Sequence, residues 1–386
     1  MTRTDPPYRA ADLLADYHPG DSFFFSSPRQ VLLATGAAVV VPERAVDLPA
    51  YVSTLLDAVG DSVPDPVVVG AVPFEGAPGA HLVVPASVRR ADPAGLYGLP
   101  DTAASLPRHE VRPVPEPDDY LRGVERALTL LRDGDLEKVV LARSLHVTAE
   151  APVDLRPVLR GLARRDPRGY TYAADLPGGR TLVGASPELL VSRVGDRVVA
   201  NPLAGSLPRD PDPVEDGRRA AALRESTKDA REHAVVVEAV VEALRPYLKG
   251  IEVPDAPAAV PTAAMWHLSS RVTGEIADRS TSALDLAAAL HPTPAICGAP
   301  VGAAQAAIAE LEPFHRGFYA GMVGWVDAEG DGEWVVGIRC AEADERLLRL
   351  FAGAGIMADS TPAAELAETT AKFQTLLNAM GVAVEV

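Results

Sequence analysis

The chain has 386 residues, enough for one large domain or two ordinary ones, and its 47% apolar and 23% charged content is ordinary for a soluble globular protein. A formal charge of -17 argues against nucleic acid, whose recognition needs a basic footprint, but leaves an anionic substrate open because a local cluster of Arg, Lys or metal can reverse the field inside one cleft. Two cysteines, Cys297 and Cys340, exclude a disulfide framework and fit a reducing cytoplasm. No run approaches the roughly 18 apolar residues that span a bilayer. The N-terminal MTRTDPPYRAADLLADY carries no apolar signal core, so a soluble intracellular protein is expected.

In chain order, SFFFSSP, QVLLATGAAVVV, PVVVGAVPF and AHLVVPA read as strands between Asp21 and Ala86, with a helix near Leu48–Val59. The Pro- and acid-rich Pro107–Tyr120 reads as a connector, and no internal repeat is visible. Helical spacing over Tyr120–Arg132 precedes a strand at Glu137–Val147, and Gly169–Ser206 reads as a meander with turns at Gly178-Gly179 and Gly195-Asp196. A long helix is predicted over Asp216–Leu248, strands over 264–276 and 318–351, a glycine-rich turn at Ala352–Gly355 and a closing helix after Pro362. Strands come in hairpins rather than alternating with helices, which predicts an α+β fold with large antiparallel sheets over a doubly wound one.

The last seventy residues carry the clearest chemistry. The closing helix places Glu365, Glu368 and Lys372 on one face beside the glycine-rich turn. Glycine lets backbone N–H groups approach an anion, and carboxylates one turn apart can hold a hard cation. Such an arrangement suits a small polycarboxylate held through Mg2+. Asp229 and Glu232 repeat the i,i+3 acid pattern on the other long helix, beside Val236 and Val240, so two helices that met would offer an oxygen-rich Mg2+ site. A single acid pair of this kind is more commonly a solvated helix face, and Glu368–Lys372 also reads as an ordinary i,i+4 ion pair.

Lys138 opens a strand whose same face runs through Val140, Ala142 and Ser144. Small neighbours leave room for a cavity, and a partly buried lysine can act as a base; spacing alone favours an exposed lysine where the strand begins. Glu188, after Pro187 in GASPELL, reads as a general acid if pocketed or as a turn residue at a sheet edge. Arg339 ends the strand EWVVGIR, and His267 and His291 read equally as core or catalytic histidines. No P-loop, dinucleotide fingerprint, HExxH or CxxC supports ATP, nicotinamide or zinc.

Taken together, EKVVLAR, GASPELL, NPLAGS, KDAREH, HLSSRVTGE, LHPTPAICG, FYAGMVGW, GEWVVGIR, FAGAGI and the E-x-x-E-x-x-x-K helix resemble the chorismate-utilising enzymes from about Tyr120 to the C-terminus. SFFFSSPRQVLLATG is similar to the siderophore-type isochorismate synthases of that family. The resemblance implies one intertwined α+β domain over 1–386, with 1–117 its more variable portion, 118–386 its catalytic core, and the active site between two large antiparallel sheets. It makes the Pro107–Tyr120 stretch an excursion within that domain.

By the same resemblance Lys138 activates water for attack at C2 of chorismate and Glu188 protonates the departing C4 hydroxyl. Glu232 and Glu368 are Mg2+ ligands, supported by Asp229 and Glu365. Arg339, Lys372 and the backbone around Gly353 contact the substrate carboxylates, while Gly205, His267, Ala295 and Tyr319 take other active-site positions. Asp229 departs from the glutamate expected there, and its shorter arm favours an indirect role. Lys138 marks the water-using branch, against an anthranilate or aminodeoxychorismate synthase. Ala295, where salicylate synthases tend to carry threonine, favours an enzyme that stops at isochorismate, for a siderophore or for menaquinone. Salicylate synthase is the alternative reading. A binding module that kept the fold would have lost Lys138, Glu188 or a metal ligand. Without an exposed apolar heptad, a monomer is expected.

Overall fold

The computed structural model describes residues 8–60, 62–99, 104–134 and 136–383. The first seven residues of the N-terminal segment read above lie outside the described residues.

Among the described residues the strands form an eleven-stranded sheet, a nine-stranded sheet and a small three-stranded one. Period-two geometry explains how one strand serves two cores. In the strand Ser22–Ser26, Phe23 and Phe25 join the apolar cluster between the two large sheets. Phe24 joins the cluster on the outer face, where helix Leu155–Arg165 and the C-terminal helix pack. Leu32 and Leu33, and Leu182 and Val183, divide the same way. A sheet covered on both faces needs apolar residues at every position, so FFF and VLLA appear as runs rather than alternations. Each fully buried Leu or Phe contributes about 2 kcal/mol in transfer free energy.

Both large sheets interleave strands from early and late in the chain. Strand Ser22–Ser26 pairs with Tyr170–Leu176 in the first, and Val67–Val72 pairs with Met322–Asp327 in the second. The α+β architecture with large, mainly antiparallel sheets is as expected, and the helix Leu48–Val59 falls where its pattern placed it, capped by Asp47 accepting from the Ala50 N–H.

Six elements frame the site: β1 (Lys138–Ala149), β2 (Leu203–Pro208), α1 (Thr227–Leu244), β3 (Met265–Ser269), β4 (Leu347–Ile356) and α2 (Pro362–Met380). β1 and β4 lie antiparallel in the eleven-stranded sheet, with Val140 opposite Gly355 and Ala142 opposite Gly353. β2 and β3 pair in the small sheet.

Three expectations are corrected here. The connector contains a strand, His109–Val114, which pairs with Ser144–Ala149 of β1; its exposed, charged, proline-bearing sequence disguises an edge strand. The single helix predicted over Asp216–Leu248 is two, Pro213–Glu225 and α1, ending at Leu244. Ser226 breaks it with extended backbone (ψ 115°), and its hydroxyl accepts from the Asp229 N–H at 3.2 Å, an N-cap that restarts the chain in a new direction. The glycine-rich turn at Ala352–Gly355 is straight strand within β4, because the ladder with β1 satisfies its backbone.

Candidate active site

A cleft with about 600 Å³ of empty space, its open mouth included, lies where β1 and β4 meet α1, α2 and the small sheet. Its wall contains Glu188, Gly205, Glu232, His267, Ala295, Tyr319, Arg339, Gly353, Glu368 and Lys372. Three more residues given roles by the resemblance, Lys138, Asp229 and Glu365, are not part of that wall.

Lys138 is 1% exposed, and its Nζ lies 2.9 Å from Glu232 Oε1. Of the two readings left by the sequence, the exposed lysine is overturned: α1, some ninety positions on in the chain, closes over the strand's start. Glycine makes the approach possible. A Cβ at Gly355 would fall 2.2 Å from Glu232 Oε1 and 2.9 Å from Lys138 Cε, and one at Gly353 would fall 2.6 Å from the Tyr319 hydroxyl. These glycines therefore supply bareness to a flat strand. The Gly353 carbonyl accepts from Lys372 Nζ at 2.9 Å.

Gly205 is needed twice over. Its φ is 74°, at an irregularity in the β2–β3 pairing, and a Cβ there would meet Asp229 Cβ at 2.9 Å. Arg339 also takes a left-handed backbone, φ 49°, a conformation that costs a non-glycine residue about 1 kcal/mol or more. It lies between strands Gly332–Val336 and Cys340–Asp344. Its Nη2 donates to His267 Nε2 at 3.3 Å. Because a guanidinium can only donate, the imidazole proton sits on Nδ1 and points to Ser206 Oγ, 2.8 Å away. Burial, then the Arg339 and Lys372 charges, push the His267 pKa far down, so the ring is neutral.

The carboxyls divide into two kinds. Glu188 is 4% exposed and receives one long hydrogen bond, 3.4 Å from the Leu203 N–H. Burial raises its pKa to about 7 against the pull of Lys138, Arg339 and Lys372. Burial would raise Glu232 as well, but the Lys138 ammonium in contact, with Lys372 and Lys228 beyond, brings it below its ordinary value. Asp229 is raised by burial and by the nearby charges of Glu232 and Glu368, and Glu365 by burial and Glu368.

The four acids expected as one metal-ligand set do not stand as one. No group of three or more His, Cys, Asp or Glu side chains among the described residues is arranged to hold a metal ion. Each glutamate turns to a lysine instead: Glu232 to Lys138, Glu365 to Lys228 at 3.0 Å, and Glu368 to Lys372 at 2.5 Å. Carboxylates that repel one another across a small space find the nearest ammonium groups. The donor chemistry still fits a hard divalent cation, since Glu232 and Glu368 share the cleft wall and each has a second carboxyl, Asp229 or Glu365, three residues before it on its helix.

Sequence reasoning assigned no role to Lys228 or Ser206, although both lay inside motifs it quoted, KDAREH and NPLAGS. Phe351, stacked on Tyr319 at 5.0 Å, was also missed; being two positions from Gly353 on the same strand face, it was open to the period-two rule. His291 lies off the cleft wall, its Nε2 at the Phe74 carbonyl (3.1 Å).

The sequence pattern of the chorismate-binding enzymes matches residues 100–381. The chain belongs to that family. As a chorismate-binding enzyme it is 52% identical to isochorismate synthase DhbC of Bacillus subtilis, over 97% of each chain. It is 39% identical to isochorismate synthase EntC of Escherichia coli K12, over 93% of this chain and 95% of that one. The crystal structure of DhbC from Bacillus anthracis superposes with a TM-score of 0.92 at 48% identity, covering 97% of this chain and all of the other. Anthranilate synthase component I from Streptococcus pneumoniae shares the fold, with a TM-score of 0.72 at 23% identity over 93% of this chain and 90% of that one.

Proposed function

We propose that this chorismate-binding enzyme is an isochorismate synthase, acting in the cytoplasm as a single-domain monomer. The observation that carries the reading is the buried pair of opposed proton carriers, Lys138 and Glu188, in a chain so close to proteins named isochorismate synthase. In its neutral form Lys138 takes a proton from a water that attacks C2 of the substrate, and Glu232 at 2.9 Å fixes the direction of the amine. Glu188, raised to about 7, keeps its proton in about half the molecules at neutral pH and donates it to the C4 hydroxyl, which leaves as water. One water enters, one departs and the ring double bonds shift, so the net change is isomerisation.

Arg339 and Lys372 are the cations placed to meet the two substrate carboxylates, with neutral His267 fixing the guanidinium. Tyr319, Ala295, Gly205 and Gly353 shape the wall around the ring. Mg2+, if bound by Glu232 and Glu368 with Asp229 and Glu365 behind them, would neutralise substrate charge as it entered. Siderophore supply is our reading of the product's use; one relative, 40% identical over 93% of this chain, is named a vibriobactin-specific isochorismate synthase. No helix among the described residues is long and apolar enough to cross a membrane.

The deciding experiment incubates the protein with chorismate and Mg2+, without ammonia, and resolves products by HPLC, with and without EDTA. Isochorismate alone, lost with EDTA, is expected. Salicylate with pyruvate would instead identify a salicylate synthase and discredit Ala295 as a discriminator. No turnover without ammonia would sink the water-using reading.

A further inference from the structure

β1 has a gap along one edge. On one side it pairs along most of its length with β4. On the other, Gly298–Ala299 pairs with Lys138 and Val139, and His109–Val114 pairs with Ser144–Ala149. Between them, over Val140–Arg143, no strand pairs among the described residues, and the one backbone bond there is from the Val140 N–H to the Cys297 carbonyl at 2.8 Å. Two side chains fill the place. Arg316 Nη2 donates to the Val140 carbonyl at 2.8 Å, and Glu312 Oε1 accepts from the Ala142 N–H at 2.8 Å. One thus acts as a strand's donor and the other as its acceptor.

The same guanidinium reaches three other parts of the site. It is held by Glu312 at 2.9 and 2.6 Å, and its Nη1 donates to the Ile296 carbonyl at 2.7 Å, beside Ala295. It lies under the rings of Phe74 (4.5 Å) and Tyr319 (5.7 Å). Glu312 and Arg316 are buried, with 2% side-chain exposure each, yet neither is on the cleft wall. Val140, Ala295, Ile296 and Tyr319 all are.

We propose that the Glu312–Arg316 pair is a positioning device for catalysis: it stands in for a missing strand and fixes the Lys138-bearing segment of β1 against the Ala295–Tyr319 wall. A planar fork with five donors is required, because it must serve a carboxylate and two carbonyls in different directions; a lysine offers no such geometry. A buried ion pair does not by itself indicate stability, since apolar residues of similar volume often replace one without loss. Positioning is different: small displacements of a reacting group cost about a hundredfold in rate.

The proposal rests on the reading of Lys138 given above, so its test has an arm that needs no turnover. Arg316→Lys and the paired variant Glu312→Leu with Arg316→Met are compared with the wild type. In both, kcat for chorismate falls about a hundredfold while KM stays within about threefold. Amide hydrogen exchange at Ala142, whose N–H Glu312 holds, accelerates at least tenfold, with the amides of Tyr170–Leu176 unchanged. A paired variant that folds, keeps kcat within twofold and leaves the Ala142 amide protected overturns the proposal. Should the paired variant not fold, Arg316→Lys decides by the same two readouts. If the wild type makes no isochorismate, the functional reading fails, and the exchange arm alone still judges the clamp.

Discussion

Glu188 and Glu232 are the same side chain, both nearly fully buried on the wall of one cleft, and both feel the charge of Lys138. Around Glu188 the cations act from a distance and one long N–H bond is the direct contact, so burial prevails and the carboxyl is held at about 7. Around Glu232 an ammonium is in contact at 2.9 Å with two more lysines beyond, and burial is overcome. A difference of one direct ion pair holds one glutamate up at about 7, where it can give a proton, and holds the other below its ordinary value as a carboxylate. The cleft thus holds an acid at one place and a cation-attracting charge at another, with no change of residue type.

The strongest way to break this comparison is to remove the lysine that both acids feel. Lys138→Ala deletes the proposed base and strands Glu232, so kcat should fall by about 10³-fold or more. Stripping one partner from a buried pair should also cost about 3–5 kcal/mol, read from a denaturant melt. Turnover near the wild-type rate in a folded variant would remove Lys138 from the mechanism.

A second test addresses the anionic side. Glu368→Gln keeps the shape but removes a charge, and the Mg2+ concentration for half-maximal rate should rise about tenfold or more, since ligand charge count sets such affinities. An unchanged Mg2+ titration would move the ion elsewhere. The smallest effect concerns the acid side and is read from kcat against pH. A carboxyl raised to about 7 donates below that value and has lost its proton above it, so the rate should decline as pH rises through about 7, tenfold per unit beyond it. The same sign governs stability: Glu188 favours the folded state below its unfolded pKa of about 4.3, and that contribution is lost as pH climbs through about 7. In Glu188→Gln the alkaline limb should vanish from whatever rate remains.

Much of this was legible in the chain itself, and the failures share a cause. Runs such as FFF and VLLA announced strands because both faces of the large sheet are buried, and the pattern near Leu48–Val59 announced a helix. His109–Val114 went unseen as a strand because its support comes from β1, thirty to forty positions on, rather than from its own exposed residues. Ser226 carried a cap signal that the acidic spacing around it masked. The burial of Lys138 depends on α1 arriving from far along the sequence, and no local spacing encodes that. The motifs did bring ten of the thirteen site residues to one wall; the i,i+4 spacing of Glu368 and Lys372 announced their pair, but nothing local showed that Glu232 and Glu365 also face lysines.

Gly355 leads to a consequence for reading relatives. It contributes no functional group, and its φ is not left-handed, yet a single methyl there would intrude on both Glu232 and Lys138. A homologue could keep every acid and base named above, carry alanine at this one position, and be inert. Competence in this scaffold is therefore recorded partly as vacancy, in a hydrogen where any other residue has a carbon, and an inventory of reactive side chains will overcount the enzymes among its kin.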